Sequence, residues 1–424
     1  MLRLLYLSDI HFREPECLNP RTDLASNDRK LLINDLKDII RETGKRVDAI
    51  VVTGDISFKA HKSEFDTATN WLKELADINR IDESKIFVVP GNHDVDRSVA
   101  DDYLLTSFRE MLNGMPEPQK KLHFTRSLQN EDTKNLILRT MQNYNQFAKQ
   151  YGCEIELPDK PFWTHYLSIN DKYKLCLNGL TTTFISSSSD DTNKLYLGES
   201  QAYLDAKDGI INLAMFHHPK DWLSDGDKFE DLLAENAQIW LSGHKHRQRY
   251  ITDDRYLDLP SAAVSPSEFE PGLSGYNIID ISVKEFEGHA ELELSVMMRM
   301  LQESPKQYIA KKTHKKEDIL IHSIKIPKSE HPISNDSNEC LSSDIKIDVF
   351  EEMSNKASEF KNLVNRIWDL QMSKRISIFK ALGLGVDSYT LTNEEAFVRE
   401  MLEKIKNDNL LERLELLIIE QEKN

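Results

Sequence analysis

The segment VPGNHD, residues 89–94, decides how this sequence is interpreted. It continues a short apolar run, residues 86–89, whose length and turn-rich borders predict a buried strand. Asn92 offers a neutral amide oxygen, and His93 lies beside it with Asp94 as a candidate orienting carboxylate. Because histidine next to glycine contributes little to a hydrophobic core, the segment predicts a functional site at a strand end.

Four further segments have the same character, a polar cluster directly after a predicted strand. They are Ser8–His11, Thr53–Ile56, Phe216–Pro219 and Ser242–His246. Residues i and i+2 at a strand end face the same way, so Asp9 and His11 can bind one metal ion. His244 and His246 have the same spacing, and the carboxylate of Asp55 has enough lone pairs to bridge two cations. Six of the thirteen histidines fall in these five segments, which predicts a metal site.

Strands and helices alternate along the first hundred residues. The predicted strands are Leu2–Leu7, Asp48–Thr53, Ile86–Val89, Leu175–Leu180, Ile210–Phe216, Ala237–Ser242, Tyr276–Val283 and Leu292–Met297. Apolar residues recur at helical spacing in residues 31–40 and 65–75, between the first three strands. This alternation predicts an α/β domain whose functional groups lie at strand ends.

In this order, the five segments resemble the signature of the calcineurin-like metallophosphoesterase superfamily over about residues 1–300. The resemblance implies an α/β fold, a four-layer sandwich of two mixed sheets flanked by helices, with two bound divalent metal ions. The implied metal ligands are Asp9, His11, Asp55, Asn92, His217, His244 and His246, with Asp55 bridging. His93 is the implied catalytic histidine, and Asp94 is the carboxylate predicted to orient it. His217 is preferred to His218 because the family's ligand lies two residues before a proline.

Metal-assisted attack on phosphorus fits this set of residues. Two divalent cations carry four positive charges, and the carboxylates of Asp9 and Asp55 neutralise two of them. The remaining two positive charges suit an anionic phosphate and a bound hydroxide. Mixed nitrogen and oxygen ligands suit Mn²⁺, Fe, Zn²⁺ or Ni²⁺ better than Ca²⁺, and Mn²⁺ is the expected cofactor. We predict direct attack by a metal-bridging hydroxide, with His93 protonating the leaving oxygen or stabilising charge on the phosphate.

Differences from particular branches of the superfamily narrow the reaction. Pro90 and Asp94 stand where protein Ser/Thr phosphatases carry the arginine and glutamate that flank GNH, and Phe58 replaces the tyrosine ligand of purple acid phosphatases. Residues 54–75 and 88–97 most resemble the cyclic-nucleotide phosphodiesterase-like branch. The prediction is therefore a phosphodiesterase that acts on nucleotide or nucleic-acid phosphodiesters.

Few groups outside the ligand set are candidates for binding substrate. Arg97, three residues past GNHD, either reaches a phosphate or forms a surface salt bridge. His218 either faces the substrate or supports a neighbouring ligand. The basic run Lys311–Lys316 favours nucleic acid if it borders the site, and is otherwise a solvated loop.

The chain divides into three parts by composition. Residues 1–300 form the phosphoesterase domain, with a helical insertion at about 101–160, and residues 301–344 hold the basic segment and a linker rich in Ser, Asn and Asp. Residues 345–424 are a predicted small all-α unit. They loosely resemble the death-like, effector-associated helical domains of bacterial conflict systems, which implies homo-oligomerisation or binding of a partner protein.

Two alternative functions follow from that C-terminal part. In one, the chain is a nuclease effector of a bacterial antiviral defence system, recruited through the helical unit. In the other, it is an interaction or scaffold protein whose esterase domain is regulatory. The complete set of motifs favours an active enzyme, because a lapsed site would usually have lost a ligand.

The composition excludes several classes of protein. The 424 residues carry a formal net charge of −17, which disfavours non-specific wrapping of long nucleic acid, since phosphate binding needs local cations. No apolar run approaches the ~20 residues of a membrane span, so no membrane partner is expected. Four scattered cysteines without a CxxC pattern indicate neither a disulfide framework nor a structural zinc site, and the predicted location is the cytoplasm.

Overall fold

The computed structural model describes residues 1–19, 21–204, 207–266 and 274–329 of the chain. Beyond them it describes residues 372–384 and the single positions 367, 398, 401, 404, 405, 410, 413, 414, 417 and 418. The chain forms two compact units, Met1–Ile333 and Ser334–Asn424. The predicted linker at residues 331–344 and most of the predicted all-α unit lie outside the described residues.

Thirteen strands lie in the described part of the first unit. They are β1 Leu2–Leu7, β2 Ala49–Val52, β3 Ile86–Val88, β4 Trp163–Ser168, β5 Lys174–Gly179, β6 Ile210–Phe216, β7 Ile239–Ser242, β8 Ile251–Thr252, β9 Leu257–Pro260, β10 Gly275–Glu285, β11 Ala290–Glu303, β12 Lys306–Ala310 and β13 Leu320–Ile326. Every strand predicted from the sequence overlaps one of these.

Eight α-helices accompany these strands in the first unit. They are α1 Ser26–Thr43, α2 Lys62–Asn79, α3 Arg97–Ala100, α4 Tyr103–Asn113, α5 Glu117–Gln129, α6 Glu131–Thr140, α7 Gln142–Ala148 and α8 Gly226–Asn236. In the second unit, α9 is Met372–Ala381. Among the described residues, none of the helices combines the length and apolar character that a membrane crossing requires.

The strands form two mixed sheets. The seven-stranded sheet has the order β12-β11-β10-β1-β2-β3, with β13 also paired to β11. In it β1, β2 and β3 run parallel, and the other pairs are antiparallel. The six-stranded sheet has the order β4-β5-β6-β7-β9-β8, with a parallel centre from β5 to β9. This confirms the predicted α/β class of two mixed sheets flanked by helices.

The two sheets are joined through buried aromatic side chains. All six residues of β1 are buried, as expected for a strand covered on both faces. The Tyr6 hydroxyl of β1 donates a hydrogen bond to the Ser242 carbonyl of β7 at 2.6 Å. The Trp163 indole of β4 donates to the Val88 carbonyl of β3 at 2.9 Å. These contacts hold the ends of β1, β3 and β7 close together across the core.

A buried glutamate fixes the loop that follows β2. Glu64, in the first turn of α2, has no exposed surface. Its carboxylate accepts hydrogen bonds from the backbone N–H groups of Phe58, Lys59 and His61 at 3.3, 2.9 and 3.1 Å. Because charge-assisted bonds of this kind are strong, the backbone just after Asp55 is held in one conformation.

The boundary of the first unit differs from the sequence-based one. Residues 301–344 are predicted as a basic segment and linker, yet β12 and β13 pair with consecutive parts of β11 in the seven-stranded sheet. The first unit therefore extends to Ile333 rather than to residue 300. β13 buries alternate residues, such as Leu320 and Ile324, and β12 buries only Tyr308, so neither sequence has the continuous apolar run of a buried strand.

Candidate metal centre

The five polar segments all follow parallel strands. Strands β1, β2 and β3 of one sheet and β6 and β7 of the other end where these segments begin. The segments are joined by backbone hydrogen bonds, from Asp9 N to Gly54 O at 3.0 Å and from Gly243 N to His217 O at 3.1 Å. Carboxyl ends of parallel strands are where α/β folds place functional groups.

Five of the predicted ligands adopt the left-handed backbone conformation, which is uncommon for residues other than glycine. Their φ angles are 53° for Asp9, 53° for His11, 52° for Asp55, 70° for His244 and 50° for His246. Such a conformation turns the chain sharply, and it persists only where the surroundings enforce it. Its concentration here indicates that the fold places these side chains for function.

Four residues form what we call the first metal position: Asp9, His11, Asp55 and His246. His246 Nε2 lies 3.1 Å from Asp9 Oδ1, and His11 Nε2 lies 3.2 Å from Asp55 Oδ2. All four residues are buried. The ligand atoms of Asp9, His11 and His246 lie within 4.8 Å of one another, as those of a single cation site do. Asp55 adjoins this group through His11.

The second metal position consists of Asp55, Asn92, His217 and His244. Asn92 Oδ1 lies 3.0 Å from His217 Nε2 and 3.1 Å from His244 Nδ1. His217 Nε2 also lies 3.3 Å from Asp55 Oδ2. The Asp55 carboxylate therefore contacts residues of both positions, as a bridging ligand must.

Backbone carbonyls orient the imidazoles. His217 Nδ1 lies 2.8 Å from the Thr53 carbonyl, and His11 Nδ1 lies 3.2 Å from the Ser265 carbonyl. A carbonyl only accepts, so each Nδ1 carries hydrogen and donates it. The Nε2 atoms are left to contact the carboxylates or a cation, the arrangement usual for metal-binding histidine.

Opposite charges at the site perturb its titration. Burial acts to raise the pKa of Asp55, but His217 and His93 outweigh it and hold that pKa well below the usual range. Burial acts to lower the pKa of His217, but attraction to Asp55 outweighs it and raises the pKa to about 9. For His244, burial lowers the pKa to about 3. Buried carboxylates that attract positive charge in this way are suited to hold a divalent cation in place of protons.

The donor set fits divalent transition metals. It offers two carboxylates, four imidazoles and one amide oxygen from the residues of the two positions. Nitrogen and oxygen donors in this mixture suit Mn²⁺, Fe²⁺, Co²⁺, Ni²⁺ or Zn²⁺. The predicted ligands are thus brought together as a metal site requires.

Two glycines let the segments approach each other. A Cβ on Gly91 would lie 2.2 Å from Asp55 Oδ1, and a Cβ on Gly243 would lie 2.2 Å from Ser8 Oγ. Neither contact is sterically allowed, since non-bonded heavy atoms pack at about 3.5–4.0 Å. Glycine is therefore required where β3 and β7 meet the carboxylate-bearing turns.

His93 is held by Phe58 rather than by a carboxylate. Its Nδ1 lies 2.9 Å from the Phe58 carbonyl, and its ring stacks on the Phe58 ring at 4.7 Å between centroids. The Arg13 guanidinium covers the Phe58 ring at 3.6 Å from its centroid. The backbone N–H of His93 donates to Asp55 Oδ1 at 2.8 Å, which places the residue beside the metal positions.

The predicted orienting role of Asp94 needs correction. Its carboxylate accepts hydrogen bonds from Gly91 N, Ile56 N, Ser57 N and Ser57 Oγ at 2.8–3.2 Å. Asp94 is fully buried, and burial raises its pKa to about 6. It joins the turn after β2 to the turn after β3. Adjacency in sequence suggested contact with His93, but the short 3₁₀ turn Asn92–Asp94 directs the two side chains to different partners.

The remaining predicted residues lie around this centre. Arg97 is half-buried at the start of α3, and its charge acts on both His93 and Asp190. His218 is fully buried beside His217 and His244, with ring centroids 4.8 and 4.7 Å away.

The basic run lies against the chain just past His246. Lys311 Nζ donates to the Gln248 carbonyl, and His314 N donates to the Tyr250 hydroxyl at 3.1 Å. Lys312 pairs with Asp318 at 2.5 Å. The run therefore lies against the segment that directly follows His246 in the sequence.

Several contributors to the site carry no signal in the sequence. Thr182, Trp222 and Ser265 each contact a histidine of the centre, through a hydroxyl, an aromatic edge and a carbonyl respectively. They lie outside the motif residues and reach the site only through tertiary packing. No spacing rule identifies such residues.

Comparison with known proteins agrees with the geometry. The family described as calcineurin-like phosphoesterase matches residues 2–248. The metallophosphoesterase-like protein YydB of Bacillus subtilis (strain 168) is 21% identical over 289 residues, which are 63% of this chain and 54% of that protein. The match thus spans about half the length of this relative.

Solved structures that resemble this chain have lower sequence identity. The GAP50 anchor of the inner membrane complex of Plasmodium has a TM-score of 0.38 and 13% identity, covering 78% of this chain and 90% of its own. Vps29 of Chaetomium thermophilum has a TM-score of 0.29 and 8% identity, covering 79% and 100% respectively.

Proposed function

The chain belongs to the calcineurin-like phosphoesterase family, and from that premise we propose that it is a metal-dependent phosphodiesterase of nucleotide or nucleic-acid substrates. One observation carries the proposal. Seven predicted metal ligands come from five strand ends, and six of them lie around the seventh, the carboxylate of Asp55, which contacts His11 and His217. Nothing in the hydrophobic core requires so many buried polar groups in one place.

The chain's own residues supply much of the chemistry. Two divalent cations, when bound, provide the positive charge that attracts a phosphodiester and stabilises its transition state. Asp55 keeps the two positions at a fixed separation, because its carboxylate is held by His11, His217 and the His93 N–H. That rigidity preorganises the charges that act on the phosphorus.

His93 is suited to exchange a proton with the substrate. Its Nδ1–H donates to the Phe58 carbonyl, which leaves Nε2 for the substrate. Burial lowers the pKa of His93 to about 4, and an incoming phosphate anion favours its charged form. We propose that the imidazolium then donates its Nε2 proton to the leaving oxygen.

The substrate class rests on the sequence and on one surface feature. Residues 54–75 and 88–97 resemble the cyclic-nucleotide phosphodiesterase-like branch. The basic run Lys311–Lys316 lies against Gln248 and Tyr250, close in sequence to His246. That proximity supports a nucleic-acid substrate as the second candidate, because clustered lysines bind a phosphate backbone.

Hydrolysis of bis-p-nitrophenyl phosphate tests the proposal. We expect wild-type protein to hydrolyse it with Mn²⁺, and Asp55→Ala and His93→Ala to lose most of the activity. His123→Ala is the matched control, since His123 is exposed on α5. Absence of turnover by the wild type with Mn²⁺, Fe²⁺, Zn²⁺ and Ni²⁺ would refute the enzymatic function.

A panel of natural diesters then selects the substrate class. Cyclic nucleotides, single- and double-stranded DNA, and RNA are incubated under the same metal conditions. Hydrolysis of cyclic nucleotides supports the first candidate. Cleavage of DNA or RNA with inert cyclic nucleotides overturns it in favour of a nuclease.

Assembly through the C-terminal part is a further element of the proposal. We propose that residues 345–424 join copies of the chain or bind a partner protein. The support is the resemblance of these residues to effector-associated helical domains, together with a small buried apolar cluster, among the described residues of the second unit, that indicates a folded unit. Its members are Ile367, Ile378, Phe379, Leu382, Val398, Met401, Ile405, Leu414 and Ile418.

A further inference from the structure

His218 contains a buried nitrogen without a partner. The residue has no exposed surface, and its Nδ1 lies 2.9 Å from Thr182 Oγ1. The same hydroxyl accepts the backbone N–H of His218 at 3.3 Å. Its other ring nitrogen, Nε2, is buried and has no hydrogen-bond partner among the described residues. Because a buried polar atom without a partner is strongly destabilising, Nε2 is expected to have a partner in the functional protein.

The His218 ring lies beside two imidazoles that are predicted metal ligands. The His218 ring centroid lies 4.7 Å from that of His244 and 4.8 Å from that of His217. One nitrogen from each of the three rings lies within 4.8 Å of the others. Nitrogens that share one ion at about 2.0–2.1 Å lie no more than about 4.2 Å apart, so a slight inward movement of the rings brings all three onto one cation.

The surroundings disfavour other partners. Since His218 is fully buried, a substrate entering from solvent does not reach it without displacing protein atoms, which argues against the substrate-facing role predicted from the sequence. The Trp222 ring packs beside both imidazoles, with its centroid 5.9 Å from that of His218 and 4.0 Å from that of His244. A cation drawn by His217 and His244 already belongs at this place.

We propose that His218 Nε2 is an additional ligand at the second metal position, with its Nδ1–H donating to Thr182. The inference rests on the proposed function only in taking Asn92, His217 and His244 as ligands. It makes the second position rich in imidazole, whereas the first position has two carboxylates, Asp9 and Asp55. Imidazole suits Zn²⁺, Co²⁺ and Ni²⁺, and carboxylates suit Mn²⁺.

The two positions should therefore differ in metal preference. The second position selects Zn²⁺, Co²⁺ or Ni²⁺ and retains it against Mn²⁺. The first position exchanges Mn²⁺ more readily. Hydrolysis by such a protein is fastest when the two positions hold different metals. Two equivalent positions would show no such preference.

Titration of metal-free, full-length protein with Co²⁺ tests the inference without any substrate. Visible absorption reports nitrogen-rich coordination, and equilibrium dialysis reports stoichiometry and affinity. We expect wild type to bind one Co²⁺ that excess Mn²⁺ does not displace. In His218→Ala that ion should bind more weakly by on the order of 10–100-fold, with an altered absorption band. His123→Ala, on the surface of α5, should behave as wild type.

A pair of substitutions at Thr182 leaves the imidazole in place. Thr182→Ser keeps the hydroxyl and should bind Co²⁺ as wild type does. Thr182→Val is nearly isosteric but cannot accept the Nδ1 hydrogen, so it should weaken the tight ion by about tenfold, as loss of a ligand's supporting hydrogen bond does. This pair decides the question if His218→Ala fails to fold.

Unchanged Co²⁺ affinity and absorption in a folded His218→Ala would overturn the inference. Equal affinity in Thr182→Ser and Thr182→Val would also overturn it. Neither result touches the proposed function, which fails only if wild-type protein with bound metal does not hydrolyse a phosphodiester.

Discussion

At the scale of single residues, Asp55 is the central group of the site. Its two oxygens contact His11, His217 and the His93 N–H. Asp55→Asn keeps the shape but removes the charge. We expect kcat/KM for bis-p-nitrophenyl phosphate to fall by on the order of 10²–10³-fold, and the bound metal per chain to decrease.

A surface aspartate provides the control for that substitution. Asp38→Asn changes an exposed residue that pairs with Arg41 on α1, and it should leave both quantities unchanged. Full activity in Asp55→Asn would show that this carboxylate does not bridge metals.

Phe58 is expected to position His93 for catalysis. Its carbonyl and its ring both hold His93, so Phe58→Leu keeps the carbonyl but removes the stack. Because small displacements of a catalytic group reduce rate, we expect kcat to fall by about 10-fold to 10²-fold with KM little changed.

Steady-state kinetics with Phe286→Leu as the matched control checks this expectation. Phe286 is 44% exposed and directly follows the last residue of β10. If Phe58→Leu has the wild-type kcat, stacking does not position His93.

Some residues of the site can be identified from the sequence, and others only from the structure. Asp9, Asp55 and His217 are recognisable because a strand end and a motif define them locally. The function of Asp94 cannot be predicted in this way, since a tight turn separates it from its neighbour His93. The partner of His218, like the stacking on Phe58, depends on loops distant in sequence.

At the scale of elements, the junctions of strands and turns restrict side-chain size. Gly91 ends the turn after β3, and a Cβ there would lie 2.2 Å from Asp55 Oδ1 and 2.3 Å from Asp55 N. Gly91→Ala should therefore lower the free energy of unfolding by roughly 1–3 kcal/mol and abolish hydrolysis.

Thermal unfolding monitored by circular dichroism tests this, with Gly114→Ala as the control. Gly114 follows α4 with ordinary φ, and an added Cβ there meets nothing closer than 3.5 Å. Equal melting temperatures for the two variants would contradict the close approach of these turns.

Strand β9 carries a titrating group that makes stability depend on pH. Burial raises the pKa of Asp258 to about 7, above the usual aspartate value. The folded state thus holds this proton more tightly than the unfolded chain does. The contribution of Asp258 to stability is full below about pH 4 and is lost as the pH rises through 7.

Asp258→Asn removes this titration. We expect the melting temperature of the variant, relative to wild type, to be higher at pH 8 than at pH 5. Differential scanning fluorimetry at both values measures it. The same difference at pH 5 and pH 8 would contradict the raised pKa.

Strands that are continuous apolar runs can be predicted from the sequence, whereas β12 and β13, strands of mixed burial, cannot. β1 and β6 are continuous apolar runs, because both faces are covered. β12 and β13 lie beside the long strand β11; β12 buries only Tyr308, and β13 alternates buried with more exposed residues. Their polar residues and nearby lysines resemble a linker, so only the pairing itself reveals them.

At the scale of the whole molecule, the first unit contains all the predicted ligands and a core of its own. A chain ending at Ile333 should therefore fold and hydrolyse bis-p-nitrophenyl phosphate within about threefold of the full-length rate, a difference of less than 1 kcal/mol in activation free energy. If the C-terminal part assembles the protein, light scattering should give a lower multiplicity for the truncated chain. Equal multiplicity would remove the proposed role in self-association, and lost activity would show that the first unit is not sufficient.

The net charge of the whole chain does not exclude an anionic substrate. The formal net charge of −17 counts side chains only. The two divalent cations of the proposed function would add positive charge at the place where an anionic substrate would bind. The acidic balance is therefore compatible with phosphoester chemistry, and it disfavours only an extended nucleic-acid footprint.

The most direct test of the central claim is a titration of metal-free protein with Mn²⁺ during hydrolysis of bis-p-nitrophenyl phosphate. The account predicts no turnover without metal, and turnover that rises until two ions are bound per chain. Asp55→Ala should remain inactive throughout. Turnover without metal, or a wild type that stays inactive when two ions are bound, would contradict it.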